Sequence, residues 1–258
     1  MCSRRSMVRI ERTAHRRPGI HRGVTVMSFR SHVSRYVLRT ICLMSLALVG
    51  GNLPAEDLCP EEKAAGFVSI FDGKTFTGWT GATDGYEIVD GTIRCIPGQG
   101  GNLLTQKEYA DFILRVEFKL SAGGNNGIGI RAPEKGHVAT EGIEIQILDN
   151  TAEKYNTIAP YQFHGSVYGL IPSKREHTPK VNEWNQQEVE CIDRKIAVRL
   201  NGKVIVEGDL DEALKNGAMD GREHPGAKRT AGRVGLLGHD DPVQFRHIRI
   251  REITDGQK

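Results

Sequence analysis

The chain has 258 residues, 38% hydrophobic and 26% charged, enough apolar material for a real core and too much for a disordered chain. Its formal charge of +3 is unevenly spread: residues 1–55 hold ten Arg, no Lys and one acid, Glu11, which leaves 25 basic and 31 acidic residues in 56–258, a net of −6. That balance argues against nucleic acid as a partner, which would need a basic face, and no apolar run reaches the roughly 18–20 residues of an ordinary membrane-spanning helix.

The N-terminal stretch reads as a targeting segment. Met27 is followed by Arg30, Arg35 and Arg39, then by the apolar run Ile41 to Val49, then by Gly50-Gly51, Pro54 and Ala55. This is the order of charged region, apolar region and cleavage site in a secretory signal. Met27 is therefore the expected true start. Residues 1–55 are expected to be a leader, 56–66 a linker and 67–254 one domain, with the mature chain secreted or periplasmic. Cys2 and Cys42 fall in the leader; Cys59, Cys95 and Cys191 remain, which allows one disulfide and one free thiol. No C-x-x-C spacing marks a metal site.

From Phe67 onward the hydrophobic period is 2. Asp90-Gly91 lies between the short runs 86–89 and 92–96 and predicts a hairpin. In the segment 112–120, Phe112, Leu114, Val116, Phe118 and Leu120 share one face, with Arg115, Glu117 and Lys119 on the other, a half-buried strand. Ile143, Ile145 and Ile147 alternate with Glu144, Gln146 and Leu148. Ile196, Val198 and Leu200 run into Asn201-Gly202 and then Val204 and Val206, a second hairpin. One short helix is predicted over 211–216, capped by Asp209 or Asp211. Strands over 234–237 and 243–253 close the chain. About ten strands with almost no helix predict an all-β sandwich. The strand-poor stretches 150–180 and 208–231 are long enough to be functional or loosely ordered loops.

Alternation also places candidate chemistry. Arg131 lies opposite Ile128 and Ile130, and Glu144 and Gln146 lie opposite the three isoleucines, so all three are expected to point outward. If their strands are neighbours, they line one outer face. The side-chain-poor stretch 123–127 before Arg131 permits close approach of a ligand or another backbone.

Eight segments in register resemble the 3-keto-disaccharide hydrolase family of secreted bacterial proteins. They begin at Phe71-Asp-Gly-Lys-Thr-Phe-Thr-Gly-Trp79, Asp111-Phe-Ile-Leu-Arg-Val-Glu-Phe-Lys119, Asn125-Asn-Gly-Ile-Gly-Ile-Arg131 and Gly142-Ile-Glu-Ile-Gln-Ile-Leu-Asp-Asn150. Gly165-Ser-Val-Tyr-Gly169, Glu183-Trp-Asn185, Leu200-Asn-Gly-Lys203 and the segment 235–246 complete the set. The resemblance spans about 67–253 and implies a concanavalin A-like jelly roll acting on carbohydrate. The sequence departs from the family pattern at Asn126 (Ser is common), His164 (a small or hydroxyl residue), Gly238 (an acid) and His247 (an Asn).

The string Glu144-x-Gln146-x-x-Asp149 stands where classical jelly-roll glucanases carry E-x-D-x-x-E, with an amide in the centre. Five strand residues span roughly 16 Å, whereas a retaining carboxyl pair stands about 5–5.5 Å apart. Ordinary double displacement is therefore rejected. The family's substrate implies other chemistry: a ketone at C3 acidifies the C2 proton, a base removes it, the C1–O bond leaves, and water adds. On this resemblance Glu144 or His239 is the base, Arg131 stabilises the enolate oxygen, and His164 or Tyr168 delivers a proton. A divalent metal could replace Arg131, although no ligand spacing points to one. Gln146, His164, Trp184, Asn126 and Asp149 are the expected substrate-binding residues. Trp79 is expected in the core, and His137, His177 and His224 are expected to be solvated. The rival readings are a non-catalytic lectin-like carbohydrate-binding module and a calcium-bound laminin-G-type adhesion domain.

Overall fold

The period-2 runs form two antiparallel sheets in the computed structural model, which describes residues 58–257. The expected leader and the Met27 start lie outside the described residues. In chain order the strands are β1 Val68–Ser69, β2 Trp79–Gly81, β3 Tyr86–Val89, β4 Thr92–Cys95, β5 Gly100–Tyr109, β6 Phe112–Lys119, β7 Asn125–Ala132, β8 Ile143–Leu148, β9 Asn185–Ile192, β10 Lys195–Leu200, β11 Lys203–Asp209, β12 Gly232–His239 and β13 Gln244–Glu252. The larger sheet runs β11-β10-β9-β6-β13-β4-β3, with β1 added to β13; the smaller runs β2-β5-β12-β7-β8. Non-sequential neighbours in both sheets, facing each other across an apolar core, make the expected jelly-roll sandwich of the described residues.

The two Gly-containing turns close hairpins as predicted. Asp90 and Gly91 have φ of 49° and 75°, and Asn201 and Gly202 have 48° and 80°, the left-handed pair that a two-residue hairpin turn requires. The core is the inward face of each strand: Phe112, Phe118, Val189 and Phe245 from the larger sheet meet Ile128, Ile130, Ile143 and Ile145 from the smaller. The outer face of the larger sheet is ion-paired. Arg115 Nε donates to Glu188 at 2.7 Å, and Arg246 Nε to Glu117 at 2.9 Å. A short helix, α1 (Pro60–Ala64), lies within the segment expected as a linker, and its Glu62 accepts from Arg115 and Arg249. The predicted helix is present as Leu210–Leu214, one residue early, with Asp209 accepting from the N–H groups of Asp211 and Glu212. Cys95 and Cys191 are buried free thiols, each pushed up to about 11 by burial.

Candidate active site

The site begins with strand β8 at the edge of the smaller sheet. Its isoleucines face the core, which sends Glu144 and Gln146 to the opposite face. An open edge strand exposes unpaired backbone groups, and here the segment 165–168 covers it. Gly165 N–H donates to Gln146 O at 2.7 Å, Gln146 N–H to Ser166 O at 3.0 Å, and Tyr168 N–H to Glu144 O at 2.9 Å. This pairing sets the Tyr168 side chain beside Glu144 and explains why every residue of β8 is buried.

Glu144 and Gln146 form part of the wall of a cavity of about 170 Å³ on the outer face of the smaller sheet. His239, Tyr168, Asn125 and Gln162 also line it. Gly127, opposite Gln146 in the β7–β8 register, keeps the floor open: a Cβ there would come within 2.2 Å of Glu144 Oε1. His239 ends β12, and its Nε2 stands 3.6 Å from Glu144 Oε1, an ion-pair distance beyond hydrogen-bond reach. Glu144 Oε1 is buried with no hydrogen-bond partner among the described residues. Glu144 raises the imidazole of His239 above its ordinary value, against the opposing effect of burial, with Asp240 and Asp241 adding to the rise. The β12–β13 turn is tied to the cavity because Asn125 N–H donates to Asp241 at 2.9 Å. Gln146 Nε2 donates to Asn125 Oδ1 at 2.6 Å, fixing both amides. Tyr168 Oη accepts from Gln162 Nε2 at 3.2 Å, which leaves its own proton free to donate.

Four expected site residues are brought together: Glu144, Gln146, His239 and Tyr168. The others are not. Arg131 does not share this face. Its backbone is left-handed, at φ 48°, and the register of β12 against β7 shifts between Arg233 and Gly235. That bulge places Ile130 and Arg131 opposite Val234 alone and breaks the alternation. The guanidinium is buried instead at the far end of the strand, donating to Asp193 O at 2.6 Å and Arg229 O at 3.0 Å. His164 is wholly buried against the Phe118 ring, its Nδ1 accepting from Leu148 N–H at 3.3 Å. Burial pulls it down to about 3, so it stays neutral and reaches no substrate. Asn126 points into the core and accepts from Gly127 N–H. Asp149 is spent on local structure, accepting from Gly123 N–H at 2.8 Å and from Thr151. Trp184 lies on the other sheet, under the Arg246 guanidinium at 4.1 Å from the ring centre. Trp79 is in the core, as expected, donating from Nε1 to Ile70 O.

Sequence reasoning missed His137, Tyr155, Ile158 and Arg222, which complete the cavity. All come from loops, where alternation gives no orientation. Three lie in or beside the two long strand-poor stretches, and unusual loop length was their only signal. His224, expected to be solvated, is buried against Asp220. Among the described residues no group of three or more His, Cys, Asp or Glu is placed to hold a metal ion, and no helix is long and apolar enough to cross a membrane.

Residues 66–251 match the family described as the 3-keto-alpha-glucoside-1,2-lyase-like domain. A 3-keto-disaccharide hydrolase of Bacteroides thetaiotaomicron is 28% identical over 228 residues, covering 73% of this chain and 79% of that one. A candidate glycosyl hydrolase from Parabacteroides distasonis, solved by crystallography, is similar at 27% identity with a TM-score of 0.64, over 72% of this chain and 99% of that one. A second crystal structure from the same organism shares the fold at 24% identity and a TM-score of 0.66, over 77% and 99%.

Proposed function

Because the chain belongs to the 3-keto-alpha-glucoside-1,2-lyase-like domain family, we propose that it cleaves 3-keto glycosides by removing the proton on C2. The observation that carries this reading is the pairing of a buried, unpartnered carboxylate oxygen on Glu144 with the His239 imidazole 3.6 Å away. Glu144 is the base. It takes the C2 proton, and the C–H electrons form the enolate with the C3 ketone. The enolate then collapses to expel the C1 oxygen, leaving a C1–C2 double bond conjugated to the restored ketone. His239, whose protonated form its neighbour favours, gives its proton to the leaving oxygen, and the free O–H of Tyr168 is the second donor within the cavity. Water adding at C1, with a proton returning to C2, completes net hydrolysis.

The enolate stabiliser is not Arg131, whose guanidinium is used elsewhere. The fixed side-chain amides of Asn125 and Gln146 are neutral donors beside Glu144 and suit an oxyanion that forms only in passing. The substrate's remaining hydroxyls meet Gln162 and Tyr155 on the loop side.

Incubation of the protein with a 3-keto disaccharide and with its unoxidised parent tests the reading. Monosaccharide should be released from the first alone. Glu144→Gln keeps size and hydrogen bonding but removes basicity, so it should cost about 10²–10⁴ in kcat without lowering thermal stability. Binding of both sugars with turnover of neither would instead indicate a lectin-like module.

A further inference from the structure

The loop bearing Arg222 is held in a way that cleavage chemistry does not explain. Among the described residues Arg222 is the lone Arg or Lys lining the cavity, and its side chain is exposed at the mouth while Glu144 is buried on the floor. The guanidinium has no ion pair or hydrogen bond among the described residues, unlike those of Arg94, Arg115, Arg194, Arg199 and Arg246, which are paired with carboxylates.

Two residues away on either side, the chain is pinned. His224 Nε2 lies 3.0 and 3.1 Å from the two oxygens of Asp220, and the two side chains are 0% and 4% exposed. Asp220 Oδ1 also accepts from Arg222 N–H at 3.0 Å. Gly169, next to Tyr168, completes the joint: Met219 N–H donates to its carbonyl at 2.8 Å, and a Cβ on it would come within 2.7 Å of both His224 and Asp220. Burying an Asp–His pair is costly in desolvation. Besides Ala218, which packs on the core, this pair is what holds the surface loop in place, and it brackets Arg222.

We propose that Arg222 binds the outer sugar of the substrate at the mouth of the cavity, and that the buried Asp220–His224 pair is the clamp that presets it. This rests on the function proposed above. A planar guanidinium with five N–H donors suits vicinal sugar oxygens. Fixing its backbone beforehand spares ordering on binding. Arg222 is thus a substrate-binding residue, and Asp220 and His224 are positioning residues that act through it.

The test is steady-state kinetics on a 3-keto disaccharide and on a methyl 3-keto glycoside, which has no outer sugar. For the disaccharide, Arg222→Ala should raise KM about tenfold, the loss of one or two hydrogen bonds, with kcat nearly unchanged; Arg222→Lys should recover part. For the methyl glycoside, Arg222→Ala should change neither constant. His224→Gln should raise KM for the disaccharide in the unaltered protein but not further in Arg222→Ala, the non-additivity expected of residues acting as a unit. Should His224→Gln unfold the chain, Asp220→Asn carries the same comparison. An unchanged KM in Arg222→Ala, an equal effect on both substrates, or additive effects of the two substitutions would overturn the inference alone. Absence of turnover by the unmodified protein on any 3-keto glycoside would overturn the function it rests on, and the inference with it.

Discussion

Glu144 and His239 stand 3.6 Å apart across the intervening strand β7, and the carboxylate acts on the charge of the imidazole. Because the carboxylate raises the imidazole above its ordinary value of 6.5, His239 keeps its proton further into the neutral range than a free histidine. A raised group of this kind supplies its proton below the raised value and loses it as pH rises through that value. The rate profile of kcat/KM should therefore fall on the alkaline side at a pH above 6.5, and His239→Gln should lower the rate and abolish that limb. The same pair stabilises the fold below the ordinary imidazole value and ceases to as pH rises through the raised one. The effect on thermal stability should be small, because the His239 side chain is 48% exposed and solvent-screened. Alternation placed Glu144 and Gln146 correctly because β8 is regular. It misplaced Arg131 because a left-handed residue and a one-residue bulge leave no mark in a hydrophobic pattern. Neither histidine was placed by alternation: His239 was named on the family resemblance and ends a strand that runs two residues further than expected, whereas His164 sits in a loop folded into the core.

At the scale of elements, the cavity depends on the edge of the smaller sheet. Strand β8 supplies the chemistry, β7 supplies a glycine floor, and the segment 165–168 closes the edge. Gly127→Ala should displace the Glu144 carboxylate, since its Cβ would fall within 2.2 Å of Oε1. Circular dichroism should show the sheet intact while kcat falls at least tenfold, as expected when a base is moved off its proton; full activity would show that the carboxylate is free to step aside. Regular strands such as β6, β8 and β10 were legible from their alternation, and the two hairpins from Asp-Gly and Asn-Gly. Strand β5 was not, because Gly100-Gly-Asn-Leu-Leu-Thr-Gln-Lys-Glu-Tyr109 carries no alternation; its sheet position comes from pairing with β12 and β2 on either side.

For the whole molecule, two long loops convert a plain sandwich face into a walled cavity. The stretch 150–180 brings Tyr155, Gln162 and Tyr168 over β8, and 208–231 brings Arg222. Their length announced a function, but only the folded chain shows which side chains they deliver, since loop orientation follows from contacts distant in sequence. The division of charge along the chain has a separate consequence. Ten arginines precede residue 56, and the remainder is net acidic, from which we propose export behind a removable leader. Mass spectrometry of the exported product should find its first residue near Glu56; a product that retains the Arg-rich stretch would contradict export by that route.

Abstraction of the C2 proton is the step on which the mechanism stands, and isotope incorporation reads it directly. The protein is given a 3-keto disaccharide in deuterium oxide, with an enzyme-free control for spontaneous exchange, and the released 3-keto monosaccharide is examined by mass spectrometry and proton NMR. Removal of the C2 proton by Glu144, followed by hydration, predicts one deuterium at C2 of the product, well above the control. A product that retains its original hydrogen at C2, formed at an undiminished rate, would contradict the account.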